Sequence, residues 1–224
     1  MNSPAAFRYL RRLASGDEES WKYLPYQLAM LCRGIDLSGV NPRDIGLSEE
    51  RSFGHKNSGG PDLEKLLQTL PICRSDTVLD FGCGKGGAML TLAKYPFARV
   101  DGIELSPQLA RTARYNLRRL RISNATIYCV DAADFTDLDS YTYFYMYNPF
   151  PEVVMRSVIG NVLFSLKQQS RKAILIYKHP QMHNLITNAG FRKLTETRQT
   201  HHPFATYIWE PVSHSTAQER LVRG

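Results

Sequence analysis

The sequence has no long apolar run: none of its hydrophobic stretches approaches the ~20 residues that a helix needs to cross a bilayer. Its mean hydropathy of -0.32 is also low for a membrane protein, so no membrane partner is predicted. Cysteine is scarce, and Cys32, Cys73, Cys83 and Cys129 form neither a C-x-x-C pair nor a cluster with histidine at metal-ligand spacing. This pattern predicts no metal site and no disulfide framework, and it favours free thiols in a cytoplasmic protein.

Acidic residues are outnumbered by basic ones. The chain has 28 Lys and Arg against 21 Asp and Glu, which gives a net charge of +7 and a pI near 9.3. A basic chain permits an anionic partner such as nucleic acid, but it does not require one. The length of 224 residues suits one α/β domain with an extension and is too short for two full-sized domains.

Glycine is concentrated in Thr77–Ala88, where a short apolar run and an acid precede a glycine-dense turn. Val78, Leu79 and Phe81 are typical of a buried parallel strand. Glycine permits backbone torsions and close approaches that a Cβ would prevent, and the turn holds Gly82, Gly84, Gly86 and Gly87. A helical pattern follows, so a ligand can lie against bare main chain at a helix N-terminus. The stretch predicts a nucleotide-sized binding site.

Two kinds of cofactor suit this turn. Gly82, Gly84 and Gly87 match the G-x-G-x-x-G spacing of dinucleotide-binding folds. Asp80, at the end of the strand, is badly placed beside a pyrophosphate but well placed to accept a hydrogen bond from an ammonium group. S-adenosylmethionine carries such an ammonium. The pattern Asp80-x-Gly82-x-Gly84-x-Gly86 resembles the first motif of class I S-adenosylmethionine-dependent methyltransferases.

The resemblance extends to the following strands. Glu104 ends a predicted strand, Arg99–Glu104, at the place where a carboxylate accepts hydrogen bonds from ribose hydroxyls in adenosine-bearing cofactors of either kind. A third strand, Ala125–Val130, leads to Asp131 and Ala132, which the resemblance assigns to the adenine amino group and ring. The predicted cofactor-binding residues are therefore Asp80, Gly82, Cys83, Gly84, Gly86, Glu104, Leu105, Asp131, Ala132 and Asn148.

A fourth predicted strand, Tyr141–Tyr147, ends in Asn148-Pro149-Phe150-Pro151. In doubly wound sheets ligands bind beyond the carboxyl ends of the strands, so this tetrapeptide should face the transferable methyl group. It resembles the Asn-Pro-Pro-aromatic motif of amino-directed methyltransferases. The resemblance implies that Asn148 and Pro149 accept hydrogen bonds from the target nitrogen while Phe150 stacks on the substrate. Phe150 stands at the second proline position and Pro151 at the aromatic one, and the alternative is a strand-terminating turn.

Further candidates surround this motif. After the predicted strand Lys172–Tyr177, His179 is a possible general base and Tyr177 or Lys178 a possible substrate contact; a structural histidine is the alternative. The resemblance implies that the loop before Pro61 lines the site, through Phe53, His55, Lys56, Asn57 and Ser58.

Two other polar patterns have ordinary structural explanations. A basic stripe is either a solvated helix face or a phosphate contact, and it consists of Arg111, Arg114 and Arg118. The pair His201-His202 is predicted to lie in a hairpin turn and not at a metal.

The whole pattern predicts an α/β fold with a doubly wound, mostly parallel, seven-stranded Rossmann-like sheet and an N-terminal helical extension. Residues 1–60 hold two helices, Ser3–Leu13 and Asp17–Arg33, and an active-site loop. Residues 61–210 form the S-adenosylmethionine-binding domain, and residues 211–224 a loose tail. The resemblance to class I methyltransferases covers about Pro61–Glu210. Four stretches together look like a group of small bacterial methyltransferases of mostly unassigned substrate: Gly34–Gly39, Asp80–Gly86, Gly102–Ser106 and Tyr147–Phe150.

The predicted function is methyl transfer from S-adenosylmethionine to a nitrogen or oxygen of a small molecule or protein side chain. An RNA or DNA methyltransferase is the first alternative. A non-catalytic nucleotide-binding or NAD-dependent oxidoreductase module is the second. The sequence does not predict an oligomeric state.

Overall fold

A seven-stranded sheet lies at the centre of the computed structural model, which describes residues 18–41, 56–197 and 202–211. The strands are β1 (Thr77–Phe81), β2 (Arg99–Ile103), β3 (Ile127–Tyr128), β4 (Tyr143–Tyr147), β5 (Ala173–Lys178), β6 (Arg192–Glu196) and β7 (Phe204–Trp209). Their order across the sheet is β3-β2-β1-β4-β5-β7-β6. Neighbours from β3 to β5 run parallel, whereas β7 is antiparallel to both β5 and β6. The predicted doubly wound, mostly parallel sheet is confirmed.

Helices connect the strands and cover both faces of the sheet. They are α1 (Glu18–Cys32), α2 (Pro61–Leu67), α3 (Gly87–Leu92), α4 (Pro107–Arg119), α5 (Glu152–Gln168) and α6 (His183–Asn188). Alternate residues of one strand face opposite sides, so Val78 packs into one buried cluster while Leu79 and Phe81 pack into the other. Burial on both faces explains why β4 and β5 are nearly continuous apolar runs in the sequence.

Several element boundaries differ from the predicted ones. The strand predicted at Ala125–Val130 is short, because β3 is an edge strand that pairs with β2 only at Ile127 and Tyr128. Tyr141 precedes β4 because its N–H donates to the carbonyl of Leu138 in a turn, at 3.1 Å. The helix predicted at Asp17–Arg33 is α1, and Pro25 lies inside it.

The register of the parallel strands places the candidate residues along one edge. Phe81, the last residue of β1, pairs with Ile103 at the end of β2 and with Met146 near the end of β4. The glycine turn, Glu104 and Asn148 therefore leave the sheet at the same carboxyl edge. The connections diverge between β1 and β4, which is where open α/β sheets bind their ligands.

The described part of the N-terminal region packs into the same core as the sheet. Met30, Ile35 and Leu37 belong to one buried cluster with Leu63 of α2 and Val78 of β1. The predicted helix Ser3–Leu13 and the predicted tail from residue 212 lie outside the described residues. Among the described helices, none has the length and apolar character that crossing a bilayer would require.

Candidate active site

A cavity of about 220 Å³ opens at the carboxyl edge of the sheet. Most of the predicted site residues line it: Gly82, Cys83, Gly84, Glu104, Leu105, Asp131, Ala132, Asn148, Pro149 and Phe150. Asp80 and Gly86 lie outside this lining, since Asp80 is buried within β1 and Gly86 is the N-cap of α3. The fold thus brings residues from four chain segments to one cavity.

The glycine turn adopts torsions that other residues disfavour. Gly82, Gly84 and Gly86 have φ values of 72°, 56° and 81°, in the left-handed region. Space is restricted as well, because a Cβ on Gly82 would lie 2.7 Å from the Cβ of Pro149. Bare main chain therefore faces the cavity at this turn, and it lies in contact with the Asn148-Pro149-Phe150 segment.

Glu104 is held in a fixed orientation by two backbone groups. The N–H of Gly84 donates to its Oε2 and the N–H of Ser106 donates to its Oε1, each at 2.8 Å. Burial raises the pKa of Glu104, and these backbone N–H groups partly oppose that rise. Each carboxylate oxygen keeps a second lone pair, so Glu104 can still accept a hydroxyl hydrogen bond from a ligand in the cavity.

Asp80 is a buried acid in need of a positive partner. Its side chain lies in β1 with an exposed fraction of 3%. Burial and the nearby negative charge of Glu104 raise the pKa of Asp80 well above its usual value. No described residue supplies a cation or a hydrogen-bond donor that lowers it. An ammonium at this place would neutralise the carboxylate, whereas a pyrophosphate would be repelled by it.

The glycine turn, Glu104 and the neighbouring Asp80 therefore fit S-adenosylmethionine. Asp80 would hold the ammonium and Glu104 the ribose. Asp131 and Ala132 line the same end beside Val130, which is partly exposed. The Oδ1 of Asp131 accepts a hydrogen bond from the N–H of Ala133 at 2.9 Å, which fixes the carboxylate at the rim.

A second layer of contacts, which the sequence did not predict, braces the glycine turn. The Nζ of Lys85 lies 2.8 Å from the Oδ2 of Asp36 and 2.9 Å from the Oγ of Ser38. Asn116 of α4 donates to the carbonyls of both Lys85, at 2.9 Å, and Asp36, at 3.0 Å. The segment around Asp36, predicted only as part of a long loop, therefore fixes the back of the ligand-facing turn.

Removing the charge of Asp36 is expected to lower the free energy of unfolding by about 2 kcal/mol at neutral pH. Asp36→Asn removes the carboxylate charge that faces the buried Lys85 ammonium, and the cost is moderate because the Asp36 side chain is 28% exposed. Burial raises the pKa of Asp36, but the hydrogen bonds from Lys85 and Ser38 and the charge of Lys85 outweigh it and lower the pKa.

The sign of the pH dependence follows from this lowered pKa. The wild type has a higher free energy of unfolding than Asp36→Asn. This difference is complete above the ordinary carboxyl pKa and disappears as the pH falls through the lower folded-state pKa of Asp36. Urea unfolding of the wild type and of Asp36→Asn, from neutral to strongly acidic pH, measures this difference in the free energy of unfolding. Equal stability at neutral pH would show that the Asp36–Lys85 pair contributes nothing.

The other end of the cavity collects Asn148, Tyr147, His179, His202 and Lys56. Asn148 and His179 have positive φ values of 35° and 55° although neither is glycine. They follow the adjacent strands β4 and β5. Strained backbone at the rim of a cavity is a feature of functional sites, and it points to this end independently of any motif.

The loop before α2 contributes part of what was predicted. Lys56 and Ser58 line the cavity. Asn57 accepts a hydrogen bond from the N–H of Gly59 at 3.1 Å, inside the loop. Phe53 and His55 lie outside the described residues.

Sequence reasoning missed several residues at this end. His202 and Tyr147 line the cavity, and their rings lie 5.7 Å apart. Gln181 does not line it, but Nδ2 of Asn148 donates to its Oε1 at 3.0 Å. Tyr177, which with Lys178 was one of two possible substrate contacts, donates its hydroxyl to Oδ1 of Asn148 at 3.1 Å. No local sequence signal marks Gln181, because its partner lies 33 positions away.

The basic stripe is only partly available to a partner. Arg114 donates to the carbonyl of Ile127 at 2.7 Å and so ties α4 to β3. Arg111 and Arg118 are exposed.

Within the described ranges, no three His, Cys, Asp or Glu residues come together as a metal site.

Three thiols are expected to react quickly with a thiol reagent, and the fourth only on unfolding. Cys32, Cys73 and Cys129 are exposed, whereas Cys83 is buried. Burial, with the negative charges of Asp80 and Glu104, raises the pKa of Cys83 well above its usual value, so its thiol stays protonated and unreactive. A timed titration of the native protein with the thiol reagent gives the number of rapidly reacting thiols, and Cys83→Ser should leave that number unchanged. A fourth rapid thiol in the wild type would contradict the burial of Cys83.

Comparison with known proteins agrees with this geometry. The profile of a family described as "Methyltransferase domain" matches residues 78–169. A tRNA/tmRNA (uracil-C(5))-methyltransferase from Vibrio atlanticus is 36% identical over 90 residues, which are 39% of this chain and 24% of that protein. A release factor glutamine methyltransferase from Moorella thermoacetica is 39% identical over 62 residues, 27% of this chain and 22% of that protein. The chain spans about a quarter of the length of these relatives.

Among solved structures, a SAM dependent methyltransferase from Aquifex aeolicus superimposes with a TM-score of 0.52 at 16% identity, over 66% of this chain and 89% of that chain. At this identity the likeness concerns the fold alone, and it agrees with the predicted class I sheet. Residues 78–169 therefore match a methyltransferase domain, the sheet has the same fold as the Aquifex aeolicus enzyme, and S-adenosylmethionine is the cofactor that such a domain implies.

Proposed function

We propose that the protein transfers a methyl group from S-adenosylmethionine to a nitrogen, or an oxygen, of a small molecule or protein side chain. The observation that carries the proposal is the pairing of two features in one region. Asp80 is a buried carboxylate whose raised pKa calls for a cation. Asn148, a hydrogen-bonding side chain on strained backbone, lines the cavity with the glycine turn.

The cofactor, when bound, supplies the methyl group as an electrophile with a good leaving group already attached. The tasks left to the chain are to bind, orient and exclude water. Asp80 and Glu104 would fix the donor end, and Asp131 with Ala132 the adenine. Asn148 Oδ1 accepts one hydrogen bond from Tyr177 and keeps a lone pair that can accept an N–H of the acceptor. That bond would aim the nitrogen lone pair into the cavity.

His179 is the candidate to take the proton released when the acceptor nitrogen is methylated. It lines the same cavity as Asn148, and its Nε2 lies 3.4 Å from the Nε2 of Gln181. The ring packs edge-on against His202 with centroids 4.4 Å apart, which limits its rotation. Phe150 lines the same cavity although it is only 8% exposed.

An RNA acceptor is the second candidate. The net charge of +7 and the tRNA/tmRNA relative favour it. The interior bond of Arg114 to Ile127 counts against a continuous phosphate-binding stripe on α4. The release factor glutamine methyltransferase among the relatives favours the protein acceptor. The cytoplasmic location stays a prediction.

Calorimetric titration with S-adenosylmethionine, S-adenosylhomocysteine and NAD tests the cofactor assignment. We expect both adenosyl ligands to bind and NAD to give no heat. Labelled methyl transfer into a cell extract, followed by separate digestion with protease and ribonuclease, then identifies the acceptor class. Asn148→Ala should keep cofactor affinity and lose transfer. Binding of NAD alone would contradict the proposal, and label that only ribonuclease releases would favour the RNA alternative.

A further inference from the structure

Gln181 joins the side chain of Asn148 to that of His179. Its Oε1 accepts from Nδ2 of Asn148 at 3.0 Å, and its Nε2 lies 3.4 Å from Nε2 of His179. At the other end of the chain of bonds, the hydroxyl of Tyr177 donates to Oδ1 of Asn148 at 3.1 Å. Two carboxamides in series thus separate a tyrosine hydroxyl from an imidazole.

The direction of these bonds depends on one proton. A carboxamide donates from its nitrogen and accepts at its oxygen, so both amides must point the same way along the chain. When Nε2 of His179 is unprotonated, it accepts from Nε2 of Gln181, and Gln181 Oε1 then accepts from Asn148. When Nε2 carries a proton, Gln181 must turn its oxygen towards His179. Asn148 must then meet the Gln181 amino group with its own oxygen.

We propose that Gln181 is a positioning residue that ties the orientation of the Asn148 carboxamide to the protonation of His179. This inference rests on the proposed function, which gives Asn148 Oδ1 the task of accepting an N–H from the acceptor. With Nε2 of His179 unprotonated, Oδ1 of Asn148 lies beside Tyr177 with a lone pair to spare. In the reversed arrangement the amino group takes that place and cannot accept. Asn148 is then competent only while Nε2 of His179 is unprotonated.

The backbone around the network restricts other responses. The positive φ values of Asn148 and His179 fix the directions in which both side chains leave the main chain. The N–H of His179 donates to the carbonyl of Pro203 at 2.7 Å, and the N–H of Gln181 donates to the carbonyl of His179 at 2.8 Å. Rotation of the two terminal amides is therefore the simplest adjustment to a proton on His179.

The titratable and charged groups that face His179 come from several segments. His202, before β7, packs edge-on against its ring. Tyr147 at the end of β4 and Lys56 before α2 line the same cavity. Lys178, the last residue of β5, directly precedes His179, and its Nζ lies 4.8 Å from the centre of the Tyr147 ring. All of them remain in place when only Gln181 is changed, so a difference between wild type and a Gln181 variant isolates the amide chain.

The test follows the side-chain NH₂ signals of Asn148 by ¹⁵N NMR against pH, assigned by their loss in Asn148→Asp. The imidazole C–H signals of His179 are assigned by their loss in His179→Gln. In the wild type both sets of signals should titrate with one midpoint. In Gln181→Leu the Asn148 signals should stop following His179. In Gln181→Glu a carboxylate presents oxygen to both neighbours, so Asn148 should keep one orientation at every pH at which that carboxylate is ionised.

Asn148 signals that ignore the titration of His179 in the wild type would overturn the proposal. So would signals that follow it unchanged in Gln181→Leu. If that variant does not fold, a wild-type pH response of Asn148 in Gln181→Glu overturns the proposal equally. Titration with S-adenosylmethionine separates this result from the proposed function, because absent cofactor binding would remove the function and leave the NMR result standing. With an acceptor in hand, kcat of Gln181→Leu should fall on the order of 10²-fold at unchanged cofactor affinity.

Discussion

Asp80→Asn is expected to lose cofactor binding and to gain stability at the same time. The substitution keeps the shape of the side chain and removes the charge that would pair with the ammonium of S-adenosylmethionine. Removing one partner of a desolvated charge pair costs about 3–4 kcal/mol, or a loss of affinity on the order of 10²–10³-fold. Calorimetry on the variant measures the loss directly.

The gain in stability comes from the same burial. Burial and the negative charge of Glu104 raise the pKa of Asp80 in the folded protein. Between the unfolded-state pKa and this higher folded-state pKa, the folded protein without ligand holds a proton that the unfolded chain has released. In that pH window the folded state binds more protons, and the free energy of unfolding therefore falls as the pH rises. Asp80→Asn removes this contribution of Asp80 and should melt at a higher temperature than the wild type at neutral pH.

An exposed carboxylate provides the matched control for both readouts. Asp137 lies outside the cavity and is exposed, so Asp137→Asn should change neither cofactor affinity nor melting temperature measurably. If Asp80→Asn binds S-adenosylmethionine as the wild type does, or melts at a lower temperature, the assignment of Asp80 to the ammonium is wrong.

Gly59→Ala is expected to lower the free energy of unfolding by roughly 3 kcal/mol, the upper end of what overpacking usually costs. A Cβ on Gly59 would lie 2.0 Å from the carbonyl oxygen of Gly87 and 2.6 Å from its carbonyl carbon. Because both atoms belong to the backbone of the first residue of α3, no rotamer change can relieve the overlap. The loop before α2 and the start of α3 must move apart.

This movement should weaken cofactor binding as well as stability. Lys56 and Ser58 line the cavity from the same loop, and Gly87 lines it from α3. Urea unfolding and calorimetry on the same preparation separate the two effects. Gly160→Ala is the control, because a Cβ at this exposed position of α5 would meet nothing within 4 Å. It should stabilise the protein by about 0.5–1 kcal/mol through helix propensity. Wild-type stability of Gly59→Ala would mean that the two glycine backbones are not in contact.

That the glycine turn and Glu104 line one cavity was predictable because their signals are local in sequence. Asp80, the glycines and the helix that follows occupy one continuous stretch, and Glu104 follows the next strand. The doubly wound, mostly parallel sheet was predictable too, since alternating strands and helices with buried apolar runs admit few arrangements. The length of β3 was not, because it depends on pairing at a sheet edge and not on residue preference.

The contacts that brace the site were out of reach for the opposite reason. Asp36 and Lys85 are 49 positions apart, and nothing in a glycine- and serine-rich loop predicts that its aspartate meets a buried lysine. Gln181 shares the difficulty, since a glutamine after a strand is ordinary until Asn148 is placed beside it. Side chains that act through other side chains become visible only once the fold has set their neighbours.

The order of the strands separates, along the sequence, the residues proposed for the methyl donor from those proposed for the methyl acceptor. Apart from Asn148, the residues that would hold the methyl donor come from β1, β2 and β3 and from the turns after them, all before residue 133. With the exception of Lys56 and Ser58, the cavity residues at the end proposed for the methyl acceptor come from Tyr147 onwards, after the strand order has changed direction between β1 and β4. Under the proposed function, the cavity residues for the methyl acceptor can therefore change while those for the methyl donor stay as they are. Variation aimed at a new acceptor belongs in the cavity residues between Tyr147 and His202.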